Sequence, residues 1–497
     1  MFSAVFKTLR RSIPAFVICL STHAEPLSYV TQDASAQFSQ FKARASDADL
    51  YRFLYLLPKG ADLHHHLSGS AFPEWWYELA TNTKLNGGYQ YYTRVKMNQC
   101  DGTSANQFGP NPPWLLFRTI QKSHYDRLDA CHQTLYLPLS NLSQQQITAW
   151  KNSITLDQPW EGRDEFFQTH WQRLNDLAAN PYIMLEILVR NMRAMGAEGL
   201  SYLETQYNPM WQLAPDGSFY DPEDIIKMIK ARLARQDAIS TGVKVKLQTA
   251  ILRFSPNAED QLRQLYAITS KHPELFVGLN MVGREDNDKG HPSRFLNVLR
   301  ELRKQYPGVK LSIHAGEVDE PNQHIRDTLL LGAERIGHGF NLLSDPDTLL
   351  LMRHGPYLVE INLISNLLLN YVDTFQQHPF PEYLRLGIPV ALSTDDRGMW
   401  DSNLTDEYFV AVKEFNLSWD ELARLSRNGL EYSFLSEQDK INALADFDKR
   451  MQRFITGFAS NGLTGISSAS GSAPLSPRSF ICKHYQLCHL NAEGVAH

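Results

Sequence analysis

Four short stretches of the chain bring imidazoles and carboxylates close together: His64-His65-His66, His314-Ala315-Gly316-Glu317, Ile336-Gly337-His338-Gly339 and Ser393-Thr394-Asp395-Asp396. Three imidazoles and one carboxylate make a borderline-soft N/O donor set suited to Zn2+. An ion held that way with one open position lowers the pKa of a bound water to about 7. His64, His66, His314 and Asp395 are the expected ligands, for one zinc ion per chain. Alternation along an extended strand separates the neighbours: His64 and His66 point the same way, and His65 points away, toward packing or solvent. Glu317 lies three residues past His314, near the ion but not needed as a ligand, and is free to shuttle a proton. His338 and Asp396 are placed to orient the activated water. Each residue alone has a plainer explanation. A lone His-x-His is a weak metal signal, and Asp-Asp is a frequent helix N-cap. The joint pattern carries the argument.

What must position these residues is an alternation of apolar runs with amphipathic segments. The runs are Ala61–His66, Leu200–Glu204, Val243–Ala250, Phe276–Val282, Val309–His314, Arg335–His338, Tyr357–Asn362 and Pro389–Thr394. Buried strands alternating with helices imply a parallel sheet covered by helices, and eight such units match an α/β fold of the (β/α)8 TIM-barrel type. The polar stretches all fall at the C-terminal ends of runs, which share one mouth in such a barrel.

The remaining chain divides around that barrel. Lys7, Arg10 and Arg11 precede the short apolar run Ile13–Leu20 and Thr22-His23-Ala24, the order of a signal peptide over residues 1–24, which implies a secreted or periplasmic protein. Residues 25–57 read as an N-terminal helical extension and 58–460 as the barrel. Residues 85–165, irregular in pattern and rich in Gly and Pro near 109–113, read as an insertion after strand one. Residues 165–197 read as helix, 437–458 as a last helix, and 461–497 as a flexible tail. Outside the signal, Cys100, Cys131, Cys482 and Cys488 remain, and the local pairs 100–131 and 482–488 are the simplest of three connectivities. The 497 residues carry 48 Lys+Arg and 54 Asp+Glu, a net charge of −6 that becomes −9 without the signal's three cations. Such a balance argues against a nucleic-acid polymer as partner, and the signal's apolar run is too short to span a membrane.

The four stretches, with the opening Pro58-Lys59-Gly60-Ala61-Asp62-Leu63, resemble the signature blocks of adenosine deaminases, in family order. Supporting blocks are Gly199–Pro209, Val277–Gly283 and Glu360–Asn366. The Pro-Lys-Gly opening, the signal and the cysteine-bearing insertion resemble the secreted, growth-factor-related branch. The resemblance covers roughly residues 50–430. It implies zinc on His64, His66, His314 and Asp395, and deamination of adenosine or 2′-deoxyadenosine, a small purine nucleoside. It also implies roles. Glu317 protonates purine N1 as water adds to C6, His338 orients and deprotonates that water, Asp396 holds N7, and the Gly283 N–H meets N3. The sequence departs from the family at Ser68, where an Asp usually contacts the ribose. It departs again at Asn280 for Asp, Arg397 for Pro and Gln206 for a basic residue, so sugar recognition and a modified nucleoside stay open.

Two other functions compete. A different metal-dependent amidohydrolase with two metals commonly bridges them with a modified Lys at the end of strand four, and Phe276–Val282 has no Lys. A secreted binding or growth-regulating protein with a relic site would have lost a ligand or the Glu, and none is lost. The insertion suits a lid, a receptor or glycan contact, or a homodimer interface.

Overall fold

The computed structural model describes residues 27–97, 100, 115–318, 320–466 and 479–488. The expected signal segment 1–24 lies outside the described residues, as do 467–478 of the tail. Eleven strands are described: β1 (Lys59–Asp62), β2 (Tyr91–Arg94), β3 (Thr119–Gln121), β4 (Tyr136–Pro138), β5 (Leu200–Gln206), β6 (Lys244–Leu252), β7 (Phe276–Val282), β8 (Lys310–Ala315), β9 (Arg335–His338), β10 (Leu358–Ile361) and β11 (Val390–Leu392). Eight of them run parallel in the order β1-β5-β6-β7-β8-β9-β10-β11, with helices in the connections. This is the TIM barrel the alternation predicts.

The seam between β11 and β1 is closed by the residues expected to be ligands. The Asp395 N–H donates to the His64 carbonyl at 2.9 Å, and the His66 N–H donates to the Asp395 carbonyl at 3.2 Å. β1 is shorter than the expected Ala61–His66. Its ladder stops at Asp62, whose carboxylate takes over as acceptor for the His64 N–H and for the N–H and hydroxyl of Thr394. The helix Trp419–Glu431 lies directly on β1, and glycines permit the approach. A Cβ at Gly60 would sit 2.1 Å from the Ser426 carbonyl oxygen.

The barrel interior holds a buried ionic chain as well as apolar side chains. Arg335 reaches Glu204 and Glu360, each at 2.6 Å, with its guanidinium 3.7 Å from the centre of the Phe434 ring. Burying such charges is tolerable only when they are paired in this way.

The N-terminal extension forms helices Gln32–Arg44 and Asp47–Leu56, capped by Thr31 and Ser46. Phe38, Phe41 and Phe53 pack against Trp419, Phe454 and Phe458. The insertion is more ordered than its sequence suggests. β2, β3 and β4 form an antiparallel sheet in the order β3-β2-β4, and Trp150 is buried with its indole N–H on Thr119. The expected helix 165–197 is broken. Asn180 caps a new helix that starts at Pro181 and ends at Ala197, as expected of a proline pre-set for the first helical position.

Both local cysteine pairs are disulfides, Cys100–Cys131 and Cys482–Cys488. Part of the tail is also not loose. Phe480–Tyr485 is a helix with Phe480 and Ile481 buried, and Lys483 donates to Asp157 of the insertion. Two apolar side chains in a polar stretch are too weak a periodicity to announce that helix; tertiary burial makes it. Among the described residues, no helix is long and apolar enough to cross a membrane.

Candidate metal centre and active site

The four stretches meet at the C-terminal mouth of the barrel. His66 Nε2 lies 3.0 Å from Asp395 Oδ1 and 3.2 Å from His314 Nε2, and His64 Nε2 lies 3.4 Å from Asp395 Oδ1. For a tetrahedral zinc with bonds near 2.0–2.1 Å, ligand atoms sit about 3.3 Å apart. These three separations, of the six among the four expected donors, lie near a tetrahedron's edge.

Hydrogen bonds on the far side of two rings fix which nitrogen faces the centre. His64 Nδ1 donates to Glu360 Oε2 at 2.9 Å, and His314 Nδ1 donates to Asn280 Oδ1 at 2.9 Å. Each leaves an Nε2 lone pair inward. His64 Nε2 is buried without a hydrogen-bond partner, and the inward lone pair of His314 faces His66 Nε2 at 3.2 Å. Such an unsatisfied cluster is costly alone and suits a cation. Burial opposes a charge on His64, yet Asp395 and Glu360 on either side outweigh it and raise its pKa to about 10. A dication must therefore displace a proton there. Burial, then the neighbouring His64 and His66, hold His314 well below the usual imidazole range. Burial also disfavours the Asp395 carboxylate, but His64 and His66 outweigh it and push its pKa well down.

His64, His314, His338 and Asp395 place one donor atom each within 4.8 Å of one another, as do His66, Asp395 and Asp396. His338 is thus a geometric rival to His66 as a ligand. Its Nε2 stands 3.8 Å from Asp395 Oδ2, longer than a tetrahedral edge, whereas His66 fits at 3.0 Å. By its distance to Asp395, His66 lies nearer a tetrahedral edge than His338 does.

The remaining expected residues surround this centre. Glu317 Oε1 lies 3.8 Å from His338 Nε2. Burial, then Asp395 and Glu285, pushes the Glu317 carboxyl well above the usual range. Asp396 is buried with Oδ1 unpartnered, and burial followed by Asp395 raises its pKa too. His338 is buried and lowered by that burial to about 3. His338 and Asp395 both adopt the left-handed region, at φ 62° and 55°. Non-glycine residues held there cost of order 1–3 kcal/mol and cluster at functional sites. Gly283 follows β7 directly at the same mouth, and Ser68 is half-buried two residues past His66. His65 turns away as alternation predicts, buried with Nδ1 on the Thr205 hydroxyl at 2.7 Å.

Other residues at the site had no role assigned to them from the sequence. Glu360 holds His64, and its signal was a carboxylate inside the apolar run Leu358–Ile361, where an unpaired charge is untenable. Asn280, first seen only as a departure, is the partner of His314. Glu285 accepts from the N–H groups of Gly316 and Glu317 at 3.0 and 2.9 Å and from His324 Nδ1 at 2.8 Å, which fixes the backbone that carries Glu317. Gly69 makes room for Asp396, since a Cβ there would fall 1.6 Å from Oδ1. Arg397 is structural, buried over the Phe72 ring and 3.4 Å from Glu198. Gln206 shares a backbone bridge with His66.

The Adenosine deaminase family model matches residues 140–450. Adenosine deaminase 2 of Dictyostelium discoideum is 25% identical over 439 residues, 84% of this chain and 77% of that protein. An adenosine deaminase of Enterococcus faecalis is 34% identical over 309 residues, 62% of this chain and 86% of that protein. Among solved structures, an amidohydrolase from Burkhoderia ambifaria with bound Zn superposes with a TM-score of 0.58 at 18% identity, covering 83% of this chain and 95% of the other. At that identity the match speaks to the fold.

Proposed function

This chain belongs to the adenosine deaminase family, and from that premise we propose that it hydrolyses the 6-amino group of a purine nucleoside, adenosine or 2′-deoxyadenosine, using one zinc ion per chain. The observation that carries the proposal is the convergence at the barrel mouth of closely spaced imidazole and carboxylate donors, the buried Glu317 with its raised pKa and an unpartnered Asp396 oxygen. His64, His66, His314 and Asp395 would hold the ion, which supplies Lewis acidity and a nucleophile available at neutral pH.

The chain's own residues do the rest. Glu317 gives its proton to purine N1 as water adds to C6, so no negative charge accumulates on the ring. Asp396, whose pKa burial raises, would donate its carboxyl hydrogen to N7, which carries only a lone pair, and so fix the face of attack. The Gly283 N–H meets N3, and Ser68 stands toward the sugar. The added water gives one proton to N6 and the other back to the Glu317 carboxylate as the C6–N6 bond breaks and ammonia leaves, so adenosine and water become inosine and ammonia. The zinc-bearing amidohydrolase of the same fold supports the choice of ion. The disulfides at Cys100–Cys131 and Cys482–Cys488 support export through the 1–24 signal, because such bonds persist in oxidising compartments. Ultraviolet absorbance of a purine nucleoside panel, with and without chelator, tests the reading. Loss of the amino group from adenosine, stopped by chelation and restored by zinc, is expected. A panel in which no adenine-type nucleoside changes would overturn it.

A further inference from the structure

His338 faces the centre through Nε2, and that atom is buried with no hydrogen-bond partner. Whether it offers a hydrogen or a lone pair decides what His338 can do, because a neutral imidazole has one of each. The answer follows from a chain of hydrogen bonds that begins outside the site.

The backbone N–H of Phe380 donates to His378 Nδ1 at 3.1 Å. A nitrogen that accepts carries no hydrogen, so the hydrogen of His378 is on Nε2. That Nε2 lies 3.0 Å from Asn366 Oδ1, which accepts from it. The Asn366 amide is thereby oriented, and its Nδ2 donates to His338 Nδ1 at 3.1 Å. His338 Nδ1 therefore also carries no hydrogen, which leaves the ring's hydrogen on Nε2. The starting donor is a main-chain amide that can neither flip nor change tautomer, so the direction of every later bond is set. His338, Asn366 and His378 are all buried, and burial lowers His378 to about 3, which keeps it neutral. Asn362 Nδ2 approaches His338 Nδ1 from a second side at 3.5 Å, again as a donor.

We propose that His378, acting through Asn366, is a positioning residue that fixes the tautomer of His338, so that His338 enters the reaction as an N–H donor to the attacking oxygen. Nε2–H points into the gap bounded by Glu317 Oε1 and Asp395 Oδ2, each 3.8 Å away, where the nucleophile and the oxygen on C6 would lie. A donor placed there stabilises negative charge on that oxygen. The same atom cannot take the water's proton without first giving up the hydrogen it carries, so the deprotonating role that resemblance assigns to His338 does not fit this tautomer. The inference rests on the proposed deaminase reading for the identity of the oxygen, and on hydrogen bonds alone for the tautomer.

The test separates the two. Selective 15N-histidine labelling of the metal-loaded enzyme, read by long-range proton–nitrogen correlation, distinguishes Nε2–H from Nδ1–H rings without any turnover. His338 should show the Nε2–H pattern. Asn366→Asp is isosteric and accepts only, so it should convert His338 to Nδ1–H and lower kcat at least tenfold with KM within about threefold. His378→Gln keeps an N–H donor toward Asn366 and should retain the wild-type tautomer and most of the activity. An Nδ1–H signal in the wild type overturns the proposal, and this readout stands even where Asn366→Asp does not fold. A switched tautomer with undiminished kcat also overturns it, by making His338 the proton acceptor. Failure of every nucleoside to react would instead overturn the deaminase reading and leave the tautomer result in place.

Discussion

At Glu317 burial makes the carboxyl costly to ionise, which is what the proposed reaction asks of it, since an ionised carboxylate could not donate to N1. Desolvation first, and the charges of Asp395 and Glu285 second, raise its pKa. Glu317→Gln keeps the shape and a donor N–H but has no proton to release. Turnover should fall by about 10²–10⁴-fold, with zinc content by metal analysis unchanged. Near-wild-type turnover would remove Glu317 from the proton-donor role. Asn280 acts one layer out. It accepts from His314 Nδ1 and keeps Nε2 inward, and loss of such a partner weakens metal affinity by roughly 10–100-fold. Asn280→Ala should therefore lose zinc to a competing chelator at correspondingly lower chelator concentration, while protein saturated with zinc recovers most of its kcat. An unchanged competition curve would show that the ring is held by packing alone.

The strands were legible in the sequence because each is an apolar run bounded by polar residues, and all eight barrel runs overlap observed strands. The convergence of the candidate ligands was legible for a related reason, that His64, His66 and His314 end their runs and Asp395 directly follows its own. What the sequence did not disclose depends on contacts made across it. β2, β3 and β4 are only three or four residues long and too short for alternation to register. The helix Phe480–Tyr485 is visible only once Phe480 and Ile481 are buried. The partnership of Glu360 with His64 joins residues 296 apart. The insertion yields a prediction at this scale. Cys100–Cys131 closes a segment with a sequence separation of 31, and removing such a crosslink typically costs about 2–4 kcal/mol. The paired Cys100→Ser, Cys131→Ser variant should unfold its insertion at lower denaturant than the barrel, seen as early proteolysis between β2 and β4. Its zinc stoichiometry should stay the same, because every ligand is on the barrel. Coincident loss of insertion and barrel would show instead that contacts such as the Leu156–Met399 backbone bond make the two one cooperative unit.

Over the whole molecule, buried titratable groups pull stability in opposite directions with pH. His378 has its folded pKa lowered from 6.5 to about 3 by burial. Above 6.5 the ring is neutral in both states and contributes no pH dependence. Below 6.5 the unfolded chain binds a proton that the folded chain does not, so stability falls with pH down to about 3. Buried acids act with the other sign. Asp62 is raised by burial to about 7, and burial raises Asp406 and Glu407 well above their ordinary values. These keep protons in the folded state that the unfolded chain has lost, which disfavours folding as pH rises from about 4 toward their folded pKa values. The wild-type curve is therefore a near-cancelling sum, and its shape does not identify His378. The difference between wild type and His378→Gln does, because the acids are common to both. Each pH unit is worth 1.36 kcal/mol for one proton, so lowering pH from 6.5 to 5 should destabilise wild type by on the order of 1–2 kcal/mol more than His378→Gln. Parallel denaturant titrations at the two pH values measure this directly. Parallel curves with no pH-dependent gap would mean that His378 is free to protonate in the folded protein, and the hydrogen-bond chain through Asn366 would have to reorganise to allow it.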